Sequence, residues 1–373
     1  MRRAGSFALL IVIIGACTTG GTSSGASPSA AATADIKRAK LDIAYSAFID
    51  ADVHKISSKT ALTAALDAIR AEVKATNGKD DVPTPEFQDA NELSLADFRK
   101  FADAAGALAA KNPQLSADRV ADAAIAGMIA TSPDCHTNYR DKGGRIHRSR
   151  PEVTTGTSAR APSEGTTVVP GTDETGLTAK LLPGGVGYIT FREFLKTGTY
   201  DVTKEVRKAL DLLLAAGAKA WLFDLRGNRG GDPPQTMTSW FLNGEAIMKI
   251  DTRTGSAGTV TAKTELRLPE TYQLPMAVIL NDAGGSSPEV FTLGLKENKR
   301  ATVIGQKSTG CLGATNETNM SDGSLLLVAV QEFVGAITGA RYNNTGIPPD
   351  VPASDATAVG VAAKLLLDKI ANP

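Results

Sequence analysis

The chain has 373 residues, which is long enough for two domains or for one large domain with an annex. Its 40 basic and 40 acidic residues cancel, which excludes the strongly basic character typical of nucleic-acid-binding proteins. A hydrophobic fraction of 42% favours a folded globular protein.

The N-terminus has the pattern of an export signal. Arg2 and Arg3 precede an apolar run at residues 7–14, which is too short to span a membrane as a permanent helix. Ile14-Gly15-Ala16-Cys17 resembles a bacterial lipoprotein signal, in which Cys17 would carry the lipid. An ordinary cleaved secretory signal is the alternative. We predict a lipid-anchored protein of the bacterial cell envelope, on its periplasmic or extracellular face, with residues 1–17 as signal and lipidation site.

Composition divides the rest of the chain into four segments. Residues 18–33 are rich in Gly, Ser, Thr and Ala and predict a flexible tether. Residues 34–138 have helical periodicity and predict a helical N-terminal domain. Residues 139–178 are rich in Gly, Ser, Thr, Pro and charge and predict an irregular connector. Residues 179–373 predict an α/β core. The predicted helices of the N-terminal domain cover 36–50, 57–77, 95–111 and 117–131.

Strand and helix patterns alternate in the core. This alternation predicts βαβ units and a largely parallel sheet, and therefore an α/β fold. A hairpin is predicted near the C-terminus, followed by a last helix. The predicted strands cover 186–191, 220–225, 276–280 and 301–305, the helices 202–216, 234–242, 290–299 and 356–370, and the hairpin 323–334 with 338–343.

Small residues at 281–289 connect a buried strand to a helix. Ser287 suits the N-cap, Pro288 the first helical position and Glu289 the first turn, where an acidic side chain needs no further role. Ser286 then lies beside backbone N–H groups that no helical carbonyl accepts, a geometry that suits a catalytic nucleophile. A strand–loop–helix corner without catalytic function is the alternative.

Four motifs in order resemble the tail-specific (C-terminal-processing) and tricorn-type serine peptidases. They are DCHT at 134–137, the glycine-rich DLRGNRGG at 224–231, NDAGGSSPE at 281–289 and GIPPDV at 346–351. The resemblance implies a crotonase/ClpP-like βαβ superhelix core with Ser286 as nucleophile. It also implies a peptide or protein substrate, and a reaction that needs no metal or organic cofactor.

The match departs from the family at two positions. Cys311 occupies the place of the lysine that serves as base in the tail-specific branch. The resemblance to the tricorn-type branch makes His136 the base, since a neutral imidazole can accept a proton near neutral pH. Asn343 stands where that branch has a glutamate, and is expected to orient His136. His54 is expected to be structural. The implied oxyanion hole comprises backbone amides of Gly230, Gly231 and Ser287.

The resemblance also places the two remaining cysteines beside the site. It implies a disulfide between Cys135 and Cys311, consistent with an exported protein. Two free thiols are the alternative, because counting cysteines does not fix their pairing. Residues 139–178 are too few for the PDZ domain that tail-specific proteases usually carry there.

Two other functions compete with the peptidase. A weakly active or inactive protein on the same fold could bind an apolar ligand or a peptide, because fold does not fix function. A scaffold lipoprotein could hold a partner through residues 34–132. The missing lysine and glutamate favour the binding protein, whereas Ser286, His136 and the glycine-rich turn together favour the enzyme.

Overall fold

The computed structural model describes residues 34–150 and 155–372, which belong to one compact unit. The predicted signal, Cys17 and the tether lie outside the described residues. Within those two ranges, no helix has both the length and the apolar character needed to cross a membrane.

Four helices form the N-terminal part. Three of them begin at a serine whose side chain accepts a hydrogen bond from a backbone N–H in the first turn, which satisfies one of the donors left open there. Their apolar faces pack together in one hydrophobic core. The helices are α1 (Arg38–Ala51), α2 (Ser58–Ala75), α3 (Leu95–Lys111) and α4 (Ala117–Ile129).

The remainder of the described chain alternates strands with helices. The strands are β1 (Asn138–Arg140), β2 (Ile146–Arg148), β3 (Thr166–Pro170), β4 (Thr178–Leu182), β5 (Val186–Thr190), β6 (Ala220–Asp224), β7 (Ala246–Thr252), β8 (Gly255–Thr261), β9 (Met276–Leu280), β10 (Thr302–Gly305), β11 (Gly313–Asn319), β12 (Leu325–Val334) and β13 (Val351–Pro352). The α-helices are α5 (Val202–Ala215), α6 (Gln235–Ser239), α7 (Ser287–Glu297) and α8 (Ala358–Ala371).

The central sheet has the strand order β13-β10-β9-β6-β5-β4-β3. Its strands from β13 to β5 are parallel, as the βαβ pattern predicts. Side chains alternate between its faces: Trp221 and Phe223 of β6 join the core with α5 and α7, whereas Ala220 and Leu222 join the core with α8. The α/β class expected from the sequence is confirmed.

A second, antiparallel sheet lies against the helical part. Its strand order is β2-β1-β12-β7-β8, with β11 also paired to β12. Tyr139 of β1 and Leu326 and Val328 of β12 belong to the same hydrophobic core as the four N-terminal helices. The helices are thus attached to this sheet by continuous apolar packing.

Two expectations from the sequence differ from the structure. Residues 139–178 contain β1–β3 and the start of β4 rather than only irregular chain. β12 pairs with β11 at residues 313–319, and its predicted partner 338–343 contributes one antiparallel bridge, between Val334 and Arg341. The strands that were missed there, β1–β3 and β11, are short or polar and lie at or near sheet edges. Such strands are held by backbone hydrogen bonds and have little of the apolar alternation that identifies a strand in a sequence.

Candidate active site

Ser286 lies where the central sheet passes into α7. It follows the buried strand β9 and is itself the N-cap of the helix, a position that the sequence had assigned to Ser287. Its φ of 72° and ψ of −118° lie in a region that side chains with a Cβ rarely occupy. Such backbone strain, of order 1–3 kcal/mol, persists where the surroundings enforce it, and it is common at functional sites.

The carboxylate of Glu289 enforces this conformation. Glu289 is fully buried. Its Oε2 accepts hydrogen bonds from the N–H groups of Ser286 at 2.9 Å and Cys311 at 2.8 Å. Its Oε1 accepts from the N–H of Gly310 at 2.7 Å and from the hydroxyl of Ser308. The spacing of a glutamate three residues after a serine is the signal of a capping box, and could have predicted the first of these contacts.

Gly230 packs directly against the serine. Its φ is 85°, and a Cβ added there would lie 2.7 Å from Cβ of Ser286, a distance that no side chain tolerates. The N–H of Gly230 donates to Oδ1 of Asn228 at 3.0 Å. That amide is therefore already used, which counts against the role in an oxyanion hole expected for it.

Two other amides remain available. Among the described residues, no acceptor is bonded to the N–H of Gly231 or to that of Ser287 in the first turn of α7. The Ser287 hydroxyl donates to the carbonyls of Gly231 and Asp232 and so ties the two segments together. Available amides next to a nucleophile are the usual donors to a developing oxyanion.

His136 is held by Asp134. The ring Nδ1 lies 3.1 Å from Oδ1 of Asp134, and the same oxygen accepts from the backbone N–H of His136 at 2.8 Å. Because an ionised carboxylate can only accept, Nδ1 carries the proton, and Nε2 of the neutral ring is left as an acceptor. The sequence had included Asp134 in a motif without giving it this role.

Asp134 also binds His54 and Asn343 on its other oxygen. His54 Nε2 lies 3.3 Å from Oδ2, and Nδ2 of Asn343 donates to it at 2.7 Å. Burial would raise the pKa of Asp134, but hydrogen bonds from His136, His54 and Asn343 outweigh it and hold that pKa well below its usual range. Asp134 therefore stays ionised at neutral pH.

These contacts correct one expectation about the proposed base and add a contact for His54. Asn343 contacts Asp134 and donates no hydrogen bond to His136, while its Oδ1 accepts from the N–H of Leu312 at 3.0 Å. An aspartate two residues before the histidine thus does what was expected of Asn343. His54, which was expected to be structural, is the second histidine on the same carboxylate.

A disulfide joins the segment that carries His136 to the turn at residues 308–311, which contacts Glu289. Cys135 and Cys311 are paired, as the resemblance implied, with their Cα atoms 5.8 Å apart. Cys135 precedes His136, and the N–H of Cys311 donates to Glu289. The bond therefore connects the network around Asp134 with the network around Ser286.

Ser286 and His136 line one cavity of about 430 Å³. The disulfide and residues 282–285 form part of its wall. Three cationic side chains also line it: Arg148, Arg150 and Arg229. The cavity thus brings together a hydroxyl on a strained turn, an imidazole on an ionised carboxylate, and two available amides at or beside its wall, which together can catalyse acyl transfer.

Comparison with known families gives a match within the core. Residues 185–353 match the model of peptidase family S41. The carboxy-terminal processing protease CtpA of Bacillus subtilis is 29% identical over 47% of this chain and 36% of the relative. A CtpA-like serine protease of Staphylococcus aureus is 29% identical over 45% of this chain and 33% of the relative. The chain therefore spans about a third of the length of these relatives.

Two solved structures share the fold over most of the chain. One is a candidate peptidase from Parabacteroides merdae, with a TM-score of 0.51, 18% identity, and coverage of 68% of this chain and 84% of the other. The second is a lipoprotein from Streptococcus agalactiae, with a TM-score of 0.50, 16% identity, and coverage of 82% and 96%. At this level of identity the likeness concerns the fold alone.

Proposed function

Since residues 185–353 are a domain of peptidase family S41, we propose that this protein is a serine peptidase with Ser286 as nucleophile and His136 as general base. The observation that carries the proposal is the shared cavity, whose lining includes both Ser286 on its strained turn and His136, which an ionised Asp134 holds. Acyl transfer by a serine with a histidine base and an orienting aspartate needs no metal.

Each group has a defined step in the proposed reaction. Oγ of Ser286 attacks the peptide carbonyl while Nε2 of His136 takes its proton. The N–H groups of Gly231 and Ser287 donate to the oxyanion that forms. His136 then returns the proton to the leaving amine, and water repeats the sequence on the acyl-enzyme. Asp134 keeps the imidazole in the required tautomer and stabilises the imidazolium.

We further propose that the enzyme is anchored by a lipid on Cys17 in the bacterial cell envelope. The basic and apolar residues before Cys17 support this, as does a disulfide, because disulfides persist in oxidising compartments. A structure with the same fold is that of a lipoprotein. Incorporation of labelled palmitate in cells should occur in the full chain and be lost in Cys17→Ala. Equal incorporation in both would contradict the anchor.

Hydrolysis of an unfolded protein substrate tests the peptidase proposal. New amino groups should form with the wild type at a rate that Ser286→Ala lowers by several orders of magnitude. The exposed Ser256 on β8 offers a matched control, since Ser256→Ala makes the same chemical change outside the cavity. Hydrolysis that persists in Ser286→Ala would contradict the assignment.

A further inference from the structure

The cavity at Ser286 carries an excess of positive charge. Its described lining residues include three arginines, Arg148, Arg150 and Arg229, and one aspartate, Asp282. The whole chain, by contrast, has equal numbers of acidic and basic residues. The concentration of arginine at this site is therefore not a consequence of overall composition.

Two of the guanidinium groups, those of Arg229 and Arg150, contact no carboxylate among the described residues. Arg229 is exposed in the glycine-rich turn after β6, and its side chain has no hydrogen-bond acceptor there. Among the described residues, Arg150 contacts neutral oxygens, with Nη1 3.5 Å from Oδ1 of Asn344 and Nη2 3.3 Å from the carbonyl of Thr309. Arginine is the side chain best suited to paired hydrogen bonds with a carboxylate.

The aspartate in the cavity is occupied elsewhere. Oδ2 of Asp282 accepts from the N–H and the hydroxyl of Thr155, at 2.9 and 2.8 Å, and Oδ1 accepts from the N–H of Gly156. These donors hold its carboxylate on the segment at 155–156. The carboxylate of Asp282 is thus held by the cavity wall, and the positive charges of Arg229 and Arg150 are available to a ligand.

We propose that the peptidase prefers substrates with acidic side chains next to the bond that Ser286 attacks, and that Arg229 and Arg150 bind them. The proposal rests on the proposed function. The two cations come from separate segments, one after β6 and one after β2. A single terminal carboxylate can occupy one guanidinium fork, whereas acidic side chains along a peptide can occupy both.

Cleavage of a proteome-derived peptide library tests this preference without a chosen substrate. Wild-type protein and Ser286→Ala are incubated with the library, and the new termini are identified by mass spectrometry. Asp and Glu should be enriched near the cleaved bonds. Matched peptides with Asp and Glu replaced by Asn and Gln should then be cleaved about tenfold more slowly, as expected for loss of a charged hydrogen bond.

The variants test the assigned residues. Arg229→Gln should reduce the acidic-to-neutral ratio of kcat/KM about tenfold, and Arg229→Glu should favour peptides with Lys instead. Arg99→Gln is the control. Arg99 is exposed on α3, so this substitution makes the same change in charge away from the cavity. Raising the salt concentration from about 0.05 M to about 1 M should also reduce the ratio.

The outcomes separate this inference from the proposed function. Equal cleavage of acidic and neutral peptides, lost in Ser286→Ala, would overturn the inference and leave the peptidase intact. A requirement for a free C-terminal carboxylate, tested with amidated peptides, would also overturn it if acidic side chains had no effect. Absence of any cleavage that depends on Ser286 would overturn both.

Discussion

Asp134 is the residue on which the candidate base depends. One of its oxygens holds both the backbone and the ring of His136, and the other receives His54 and Asn343. A carboxylate with four such donors cannot rotate without breaking several hydrogen bonds. The position and tautomer of His136 therefore follow from a fully buried group that solvent does not reach.

Replacing Asp134 by asparagine should lower activity at least about 100-fold, because the amide can present a donor to Nδ1 and favour the wrong tautomer. The measurement is kcat/KM for a cleaved peptide, with the melting temperature as a check on folding. Asp89→Asn is the control, since Asp89 is exposed. A folded Asp134→Asn protein with wild-type activity would contradict the role given to Asp134.

His54 should make stability depend on pH. Burial would lower its pKa, but the hydrogen bond to Asp134 and the charges of Asp52, Asp134 and Glu332 raise it above the ordinary value. A raised pKa in the folded state means that the stabilisation is complete below about pH 6.5 and is lost as the pH rises through the folded-state pKa.

The comparison of the wild type with His54→Gln isolates this contribution. Glutamine can still donate to Asp134 but carries no charge. The advantage of the wild type in the free energy of unfolding, measured with urea, should therefore shrink between about pH 5.5 and about pH 9. An advantage that stays constant or grows with pH would contradict a charged His54 in the folded protein.

At the scale of elements, the turn at 308–311 and the start of α7 form one unit through Glu289. Replacing Glu289 by glutamine would put an NH2 group in place of one accepting oxygen. That group would face the N–H and O–H donors that the carboxylate now accepts from. We expect a loss of about 2–4 kcal/mol in the free energy of unfolding, and slower reaction of Ser286 with a covalent probe.

The exposed Glu317 of β11 provides the matched control for this change. Glu317→Gln should alter neither the free energy of unfolding, within about 0.5 kcal/mol, nor the reaction rate of Ser286. If Glu289→Gln behaved in the same way, the buried carboxylate would have no part in shaping the turn.

The elements that sequence reasoning found are those with a strong local pattern. Apolar runs identify the buried strands β6 and β9, and apolar residues at helical spacing identify α3. Few other structures fit these patterns. By contrast, β8 is mostly exposed and rich in glycine, so nothing in its own sequence distinguishes it from a loop. Its pairing with β7 depends on the folded sheet.

The same distinction applies to the candidate site. Ser286 and His136 were identifiable because each lies in a short motif of fixed spacing. The contacts of Glu289 with Gly310 and Cys311, and of Asp134 with His54, join residues that are distant in the chain. Such contacts are set by packing, and no local pattern in the sequence reveals them.

Considered as a whole, the molecule brings its proposed base and its proposed nucleophile from different parts of the chain. His136 follows the N-terminal helices, which pack on the second sheet, whereas Ser286 belongs to the central sheet. The Cys135–Cys311 disulfide connects residues separated by 176 positions and joins these two parts at the site. Mutual placement of the two groups is thus a property of the full tertiary structure.

Removal of this disulfide should affect both stability and activity. Cys135→Ser with Cys311→Ser should lower the free energy of unfolding by about 2–5 kcal/mol, because the unfolded chain regains the freedom of a long loop. The reaction rate of Ser286 should fall as well, since the base is less firmly placed. Unchanged values of both quantities relative to the oxidised wild type would contradict the role given to the bond.

Intact-mass measurement after treatment with a fluorophosphonate probe tests the central claim most directly. The account predicts one adduct on the folded wild type, and none on Ser286→Ala or His136→Ala, because the probe reacts with a serine activated by a base. An adduct that survives in Ser286→Ala, or a folded wild type that forms none, would contradict Ser286 as the activated nucleophile.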